Sequence, residues 1–183
     1  ATQISKPADE QAFERASVAL WRGLLDDPSV QRNGRRGQRQ NGVDLFGIRN
    51  DDAEWHVGIQ CKLKSEGHFL TEQEVRDEVR KALTFQPPLR EYYITTTAPD
   101  DVAMQELARE ITQALAKEGK KLRVFVWGWN TLEEKISEDA AARKAFDPTY
   151  GLFSEALLDE TRKISSAQVD TRSELHAGFS RIE

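Results

Sequence analysis

Apolar residues recur at intervals of three or four in several segments of the chain, a spacing that predicts helices. Four helices are predicted, over residues 9–26, 71–86, 101–119 and 130–136. Thr71 and Glu74 match a capping box at the start of the second helix, and Asn130 is expected to cap the fourth. The apolar positions behind the spacing are Phe13, Ala16, Leu20 and Leu24, then Val75, Val79 and Leu83, then Leu107, Ile111 and Leu115.

Between these helices, β-branched and aromatic residues predict four strands, over residues 43–48, 55–64, 92–97 and 122–127. The strand over 43–48 carries apolar residues on both faces, so we expect it to be central in a sheet. The strand over 55–64 alternates strictly, with one apolar face and one polar face that carries Gln60 and Lys62. Strands that alternate with helices predict an α/β fold with a mixed central sheet flanked by helices.

The pattern changes after Asp147 and Pro148, where a weak heptad repeat extends from Leu157 to Ile182. We expect an extended helix over about 150–183. It either packs on the preceding domain or links it to a downstream module, or it is a surface helix with a frayed tail. The predicted domain organisation is therefore a domain over residues 1–146 and a helical extension or linker over 147–183.

The length of 183 residues suits one domain of about 150 residues plus an appendage. No apolar run approaches the roughly 20 residues that cross a bilayer, and the amino-terminal residues lack the basic and apolar blocks of a secretory signal. The single cysteine, Cys61, excludes an internal disulfide and is expected to be a buried thiol. These features predict a soluble cytoplasmic protein with no membrane segment.

The formal net charge of −5 argues against a protein that coats nucleic acid through bulk electrostatics. The charge is uneven, however, because residues 31–64 contain seven basic and four acidic residues. A local basic region on an acidic body is typical of an enzyme that binds phosphates only around its cleft.

The two strands over 43–48 and 55–64 bring together an acid, an amide and a lysine. Phosphodiester hydrolysis needs a metal ion and positive charge near the transition state. Asp44, the amide oxygen of Gln60 and the backbone carbonyl of Cys61 could hold Mg²⁺, which prefers oxygen ligands. Lys62 lies on the same strand face as Gln60 and could contact the phosphate and the attacking water. Glu14 lies on an otherwise apolar line of the first helix, where a half-buried acid is expected to have a partner or a function.

These residues, in this order, resemble the PD-(D/E)xK (restriction-endonuclease-like) nuclease superfamily. Glu14 lies in the first helix, Asp44 ends a Gly-Val-Asp triplet, and Gln60 and Lys62 form a Gln-x-Lys motif. Glutamine in place of the second acid is similar to Mrr-like nucleases, and the resemblance covers residues 9–136. The segments Thr95–Pro99 and Val126–Trp129 also resemble the amino-terminal nuclease domains of bacterial anti-phage defence proteins.

The resemblance implies a restriction-endonuclease-like fold and a Mg²⁺-dependent endonuclease that cleaves double-stranded DNA, with Mn²⁺ as a substitute metal. Asp44, Gln60 and the Cys61 carbonyl would bind the metal, Lys62 would stabilise developing charge, and Glu14 would assist at a second metal or at the water. The resemblance further implies that this domain is the effector of a defence or restriction protein. Such a domain would form a homo-oligomer or be dimerised by downstream domains.

A basic segment next to the aspartate strand is predicted to bind DNA. The predicted DNA-binding residues are Arg32, Arg35, Arg36, Arg39, Gln40 and Lys64. A solvated basic loop is the alternative. The basic residues Arg76, Arg80 and Lys81 could bind phosphate or could compensate the helix dipole. Two other functions stay open: a non-catalytic nucleic-acid-binding or assembly module with a degraded site, and a junction resolvase or an RNA-cutting nuclease.

Overall fold

The computed structural model describes the backbone of residues 3–34 and 37–179, and the side chains of those ranges except 151–155 and 170–179. A five-stranded sheet has its strands in sequence order: β1 (Gln31–Arg32), β2 (Leu45–Ile48), β3 (His56–Lys62), β4 (Glu91–Thr96) and β5 (Arg123–Trp127). β1, β2 and β3 pair antiparallel, whereas β3, β4 and β5 pair parallel. The predicted α/β class with a mixed central sheet is confirmed.

Helices of residues 10–146 cover both faces of this sheet. They are α1 (Glu10–Leu25), α2 (Glu72–Ala82), α3 (Val102–Lys117), α4 (Trp129–Ser137) and α5 (Ala140–Phe146). A last helix, α6 (Pro148–Phe179), follows them in the chain. Phe13 and Leu20 of α1 pack with Leu132 of α4 and Ala142 of α5 in a core on one face. Side chains of α2 and α3, such as Val75 and Ile111, form a second core on the other face. The sheet is therefore the middle layer of three.

Helix caps agree with the sequence at α2 and differ from it at α4. The side chain of Thr71 accepts a hydrogen bond from the backbone of Glu74, as the capping box predicts. The cap of α4 is Gly128, so the prediction that Asn130 caps this helix is wrong. The Asn130 side chain instead accepts a hydrogen bond of 2.9 Å from the backbone N–H of Asp100, which ties α4 to the loop before α3.

Two short elements had no periodic signal that could predict them. β1 has two residues, and α5 has seven, fewer than a strand or helix pattern needs. β2 pairs with β1 on one side and with β3 on the other, so it is an interior strand and not an edge strand. The expectation that the strand over residues 43–48 is central is confirmed in this sense, and β3 is the middle strand of the five.

Contacts divide the chain into two compact units, Ala1–Phe146 and Asp147–Glu183. The second unit contains α6, a single long helix that agrees with the predicted extension. Its described side chains include four exposed apolar residues: Leu157, Leu158, Ile164 and Val169. The proposed link through α6 to a downstream module stays a prediction. Within the described residues, none of the helices combines the length and apolarity that crossing a membrane requires.

A buried carboxylate at the amino end of β4 joins this strand to the turn between β2 and β3. Glu91 is 3% exposed and accepts hydrogen bonds from Arg49 Nε at 2.6 Å, Trp55 Nε1 at 2.7 Å and the Tyr93 hydroxyl at 2.8 Å. Burial alone would raise the pKa of Glu91, but these hydrogen bonds outweigh it and hold the pKa below the ordinary value. The cluster therefore stabilises the folded chain with Glu91 ionised.

Glu91→Gln should lower the free energy of unfolding by about 2 kcal/mol near neutral pH, because the substitution removes a charge that several donors satisfy. The lowered folded-state pKa makes this contribution complete above the ordinary glutamate pKa of 4.5 and lost as the pH falls further. The free energies of unfolding of the two chains, measured with urea, should therefore become equal at acidic pH. The control is Glu72→Gln, which breaks a surface pair with Arg76 and should cost less than about 0.5 kcal/mol. Equal costs for the two substitutions would contradict this role of Glu91.

Candidate functional site

An acidic cleft of about 640 Å³ opens at the carboxyl end of β3, beside the amino end of α1. Its lining contains all five residues predicted to form the catalytic and metal site: Glu14, Asp44, Gln60, Cys61 and Lys62. The charged residues that line it are the acids Asp9, Glu10, Glu14 and Asp44 and the bases Arg32 and Lys62. The structure thus brings the predicted site residues together, and the roles assigned to them stay predictions.

Asp44 immediately precedes β2 and is only 4% exposed. Its backbone N–H donates to the carbonyl of Ile59 at 2.8 Å, and its Oδ2 accepts from the backbone N–H of Cys61 at 2.8 Å. Burial raises the pKa of Asp44 to about 7, against the hydrogen bond from Cys61, which lowers it. The negative charge of Glu14 also raises this pKa, whereas the ammonium group of Lys62 lowers it. The ionised carboxylate is therefore only partly compensated by its neighbours.

Cys61 contributes its backbone to the cleft and its side chain to the core. The thiol is buried, with Sγ 3.7 Å from Ser17 Oγ of α1, so the expectation of a buried thiol is confirmed, and burial raises its pKa. The carbonyl of the next residue, Lys62, accepts from Thr97 N on the β4 side. Because consecutive residues of a strand direct their backbone groups to opposite sides, the carbonyl of Cys61 points to the side of Asp44.

The side chain of Gln60 is a hydrogen-bond donor to Asp44 in its best-satisfied orientation. Its amide nitrogen then lies 3.3 Å from Asp44 Oδ2 and 2.6 Å from the carbonyl oxygen of Gly42. In this orientation the nitrogen, rather than the oxygen, faces Asp44. The predicted role of the amide oxygen as a metal ligand stays a prediction, and the hydrogen bond to Asp44 is a contribution that the sequence did not indicate.

Lys62 has a partner that sequence analysis missed. Its Nζ lies 2.9 Å from Oε1 of Glu78, a residue of α2 that is 5% exposed, and Lys81 Nζ lies 3.4 Å from the same oxygen. Glu78 occupies the buried stripe of α2 between Val75 and Val79. An acid in an otherwise apolar helical stripe was the signal that could have identified it. Glu78 holds the ammonium group of Lys62 on the α2 side of the cleft.

Glu14 is already paired with one of the predicted DNA-binding residues. Arg32, which forms part of β1, places Nη2 at 2.7 Å and Nε at 3.2 Å from Oε2 of Glu14. The Glu14 side chain is 14% exposed and that of Arg32 is 30% exposed. The half-buried acid expected on α1 therefore has a partner, and both groups line the acidic cleft.

The other predicted DNA-binding residues have different surroundings. Arg39 donates from Nε to Asn41 at 2.9 Å, and Gln40 exchanges hydrogen bonds with Asn33 that brace the loop before β2. Lys64 lies 2.7 and 2.9 Å from the two carboxylate oxygens of Glu74, away from the acidic cleft. Arg35 and Arg36 lie outside the described residues.

Gly42 allows the segment before Asp44 to lie directly against α2. It has a φ of +72°, and a Cβ atom there would lie 3.0 Å from both the backbone oxygen of Glu78 and the Cβ of Lys81. The Gly42 carbonyl accepts a hydrogen bond from the hydroxyl of Tyr92, and Gln60 can donate to the same oxygen. The position of Asp44, two residues later, depends on this close approach.

No protein-family model matches the chain, and no curated protein matches it. The chain is similar to a solved structure of the MspJI restriction endonuclease in complex with a 27-mer oligonucleotide, at 16% identity and a TM-score of 0.48. The match covers 84% of this chain and 32% of the MspJI chain, so this chain spans about a third of that protein. This level of similarity transfers no residue role and no activity.

Gly42→Ala should destabilise the chain by about 2 kcal/mol, because it combines an unfavourable positive φ with a collision against the backbone of α2. Gly67→Ala is the matched control, since Gly67 has a similar φ of +80° and nothing within 4 Å of an added Cβ. The control should therefore show only the backbone cost, about 1 kcal/mol. Thermal or urea unfolding measures both. Equal destabilisation by the two substitutions would mean that Gly42 is not packed tightly against α2.

Asp44→Asn should stabilise the chain in EDTA, and more so at about pH 8 than at about pH 5. The raised folded-state pKa means that the cost of ionising Asp44 in the folded chain builds up from pH 3.8 and is complete above pH 7. A pKa of Asp44 raised from 3.8 to about 7 corresponds to about 4 kcal/mol at most. Urea unfolding of both chains at the two pH values measures the difference. A stabilisation that does not grow with pH would disprove the raised pKa.

Proposed function

We propose that this chain is a metal-dependent endonuclease domain that hydrolyses phosphodiester bonds of double-stranded DNA, with Mg²⁺ as its metal and Mn²⁺ as a substitute. One observation carries the proposal: a buried, poorly compensated carboxylate, Asp44, lies in one cleft with the backbone carbonyl of Cys61 and the ammonium group of Lys62. Such a cleft combines oxygen donors for a hard cation with positive charge for a phosphate.

The residues of the acidic cleft fit a hydrated hard cation. Asp44 supplies one carboxylate, and the carbonyl of Cys61 points to the same side. Within the described residues, no three or more His, Cys, Asp or Glu side chains gather as a metal-binding cluster, so water would have to supply the other ligands of a cation held by Asp44 and the Cys61 carbonyl, as Mg²⁺ allows. A bound Mg²⁺ would polarise a phosphoryl oxygen and lower the pKa of a water molecule.

The residues around Asp44 then have distinct roles. Lys62 would donate to a phosphate oxygen and stabilise the negative charge that develops during in-line attack by water. Glu78, outside the cleft, would position Lys62 from the α2 side, at 2.9 Å. Gln60 would hold Asp44 in place or turn its amide oxygen to the metal. Glu14, paired with Arg32 in the same cleft, would assist at the water or at a second metal.

The wider setting of the proposal is an effector domain in a bacterial anti-phage defence or restriction system. The sequence resemblance described above supports this setting, as does a helix of 32 residues, α6, that follows the first unit and could connect it to other domains. In this setting, the chain works as a homo-oligomer or is dimerised by downstream domains. The cytoplasm is the expected location for such an enzyme.

A second candidate function is a non-catalytic nucleic-acid-binding or assembly module. The observation in its favour is Gln60, which stands where a second carboxylate would strengthen the metal site and whose amide nitrogen faces Asp44. Such a module would bind DNA through the same cleft without cutting it. Cleavage measurements distinguish the two functions.

Supercoiled plasmid should be nicked or linearised by the purified chain in Mg²⁺ or Mn²⁺ and left intact in EDTA. Asp44→Ala and Lys62→Ala should each lower the cleavage rate by at least about a hundredfold, because they remove the carboxylate ligand and the charge at the transition state. Lys120→Ala is the control, since Lys120 pairs with Glu118 on the surface and lies outside the cleft.

Protein concentrations high enough to favour self-association are needed, because dimerisation is part of the proposed setting. Absence of metal-dependent cleavage at the highest concentration would contradict a nuclease. Cleavage that survives both Asp44→Ala and Lys62→Ala in folded protein would assign the activity to other residues or to a contaminant.

A further inference from the structure

A second pocket of about 570 Å³ adjoins the acidic cleft and has the opposite charge. Four basic residues, Arg39, Lys62, Arg80 and Lys81, and one acid, Glu78, are the charged members of its lining. We name it the basic pocket. It lies between the loop before β2 and the carboxyl-terminal half of α2.

The two pockets share one wall. Gln40, Gln60 and Lys62 line both of them, so a negatively charged group that contacts Lys62 from the acidic cleft lies at the edge of the basic pocket. A surface that favours a cation therefore borders directly on a surface that favours an anion. This arrangement suits an extended polyanion better than an isolated phosphate, because the attraction continues beyond Lys62.

Stabilisation of α2 explains only some of the basic residues in the basic pocket. Arg80 and Lys81 lie in the last turn of α2, where basic side chains interact favourably with the helix dipole. That explanation does not apply to Arg39, which reaches the same pocket from the loop before β2. The present partner of Arg80 is a surface aspartate, Asp77, and surface pairs of this kind contribute little. Exchange of Asp77 for a phosphate would therefore cost little.

We propose that the basic pocket binds the nucleic-acid phosphate next to the one that is cleaved, on the same strand. The inference rests on the proposed function, which places the cleaved phosphate at Lys62. The strand then continues from Lys62 between Arg39 and Arg80 towards the carboxyl end of α2. The contact is to the backbone, so it positions the strand and reads no base sequence.

The salt dependence of DNA binding tests this subsite separately from catalysis. The measurement is fluorescence anisotropy of a short labelled duplex with the full chain in EDTA, over a range of salt concentrations. Arg39→Gln and Arg80→Gln should each reduce the slope of log affinity against log salt by about one unit and weaken binding several-fold. Lys81 is not substituted, since it also contacts Glu78.

Arg76→Gln is the matched control, because Arg76 is a partly exposed basic residue of α2 that pairs with Glu72 and lies outside both pockets. It should leave the slope unchanged. Equal slopes for the control and both pocket variants, or no measurable duplex binding by the unsubstituted chain, would overturn the subsite. If Arg39→Gln and Arg80→Gln reduce the slope but the unsubstituted chain cuts no plasmid, the basic pocket binds a backbone phosphate and the proposed nuclease activity is wrong. Failure of the subsite and failure of the proposed function therefore give different results.

Discussion

The burial of one carboxylate, Asp44, is the constraint on which the candidate site depends. Its main chain joins β3 through Ile59, and its side chain accepts a hydrogen bond from Cys61, so its position follows from the register of the central strands. The turn at Gly42, packed against α2, delivers the chain to this position. Burial then leaves the Asp44 charge poorly compensated, and the remaining groups of the cleft, above all Lys62, act on that charge or on a ligand beside it.

The two ends of the sheet show that burial alone does not mark a functional acid. Glu91, at the amino end of β4, is as buried as Asp44, but Arg49, Trp55 and Tyr93 satisfy its charge, and its pKa is lowered. Asp44, at the other end, has fewer donors and a raised pKa. The difference is typical of a structural ion pair at one end and a group that gains from a bound cation at the other.

The sequence predicted well what local periodicity determines. The strict alternation of β3 places Gln60 and Lys62 on one face, and Gly42 with Asp44 marks the neighbouring strand, so these members of the cleft are predictable from the sequence alone. Glu78 lies in the apolar stripe of α2, which marks it as an unusual acid, but its contact with Lys62 was missed because that contact depends on how α2 packs on the sheet. β1 and α5 were missed for a related reason, since they are too short for a repeating pattern and form because larger elements support them.

If Asp44 and the Cys61 carbonyl hold a hard cation, anomalous diffraction from crystals grown with Mn²⁺ will locate it. We expect an anomalous peak about 2.0–2.5 Å from an Asp44 carboxylate oxygen and from the Cys61 carbonyl oxygen, with water at the remaining positions. The same crystals of Asp44→Asn should lack the peak. Mn²⁺ bound only elsewhere, or no peak beside Asp44 at saturating Mn²⁺, would show that Asp44 and Cys61 do not form a cation site.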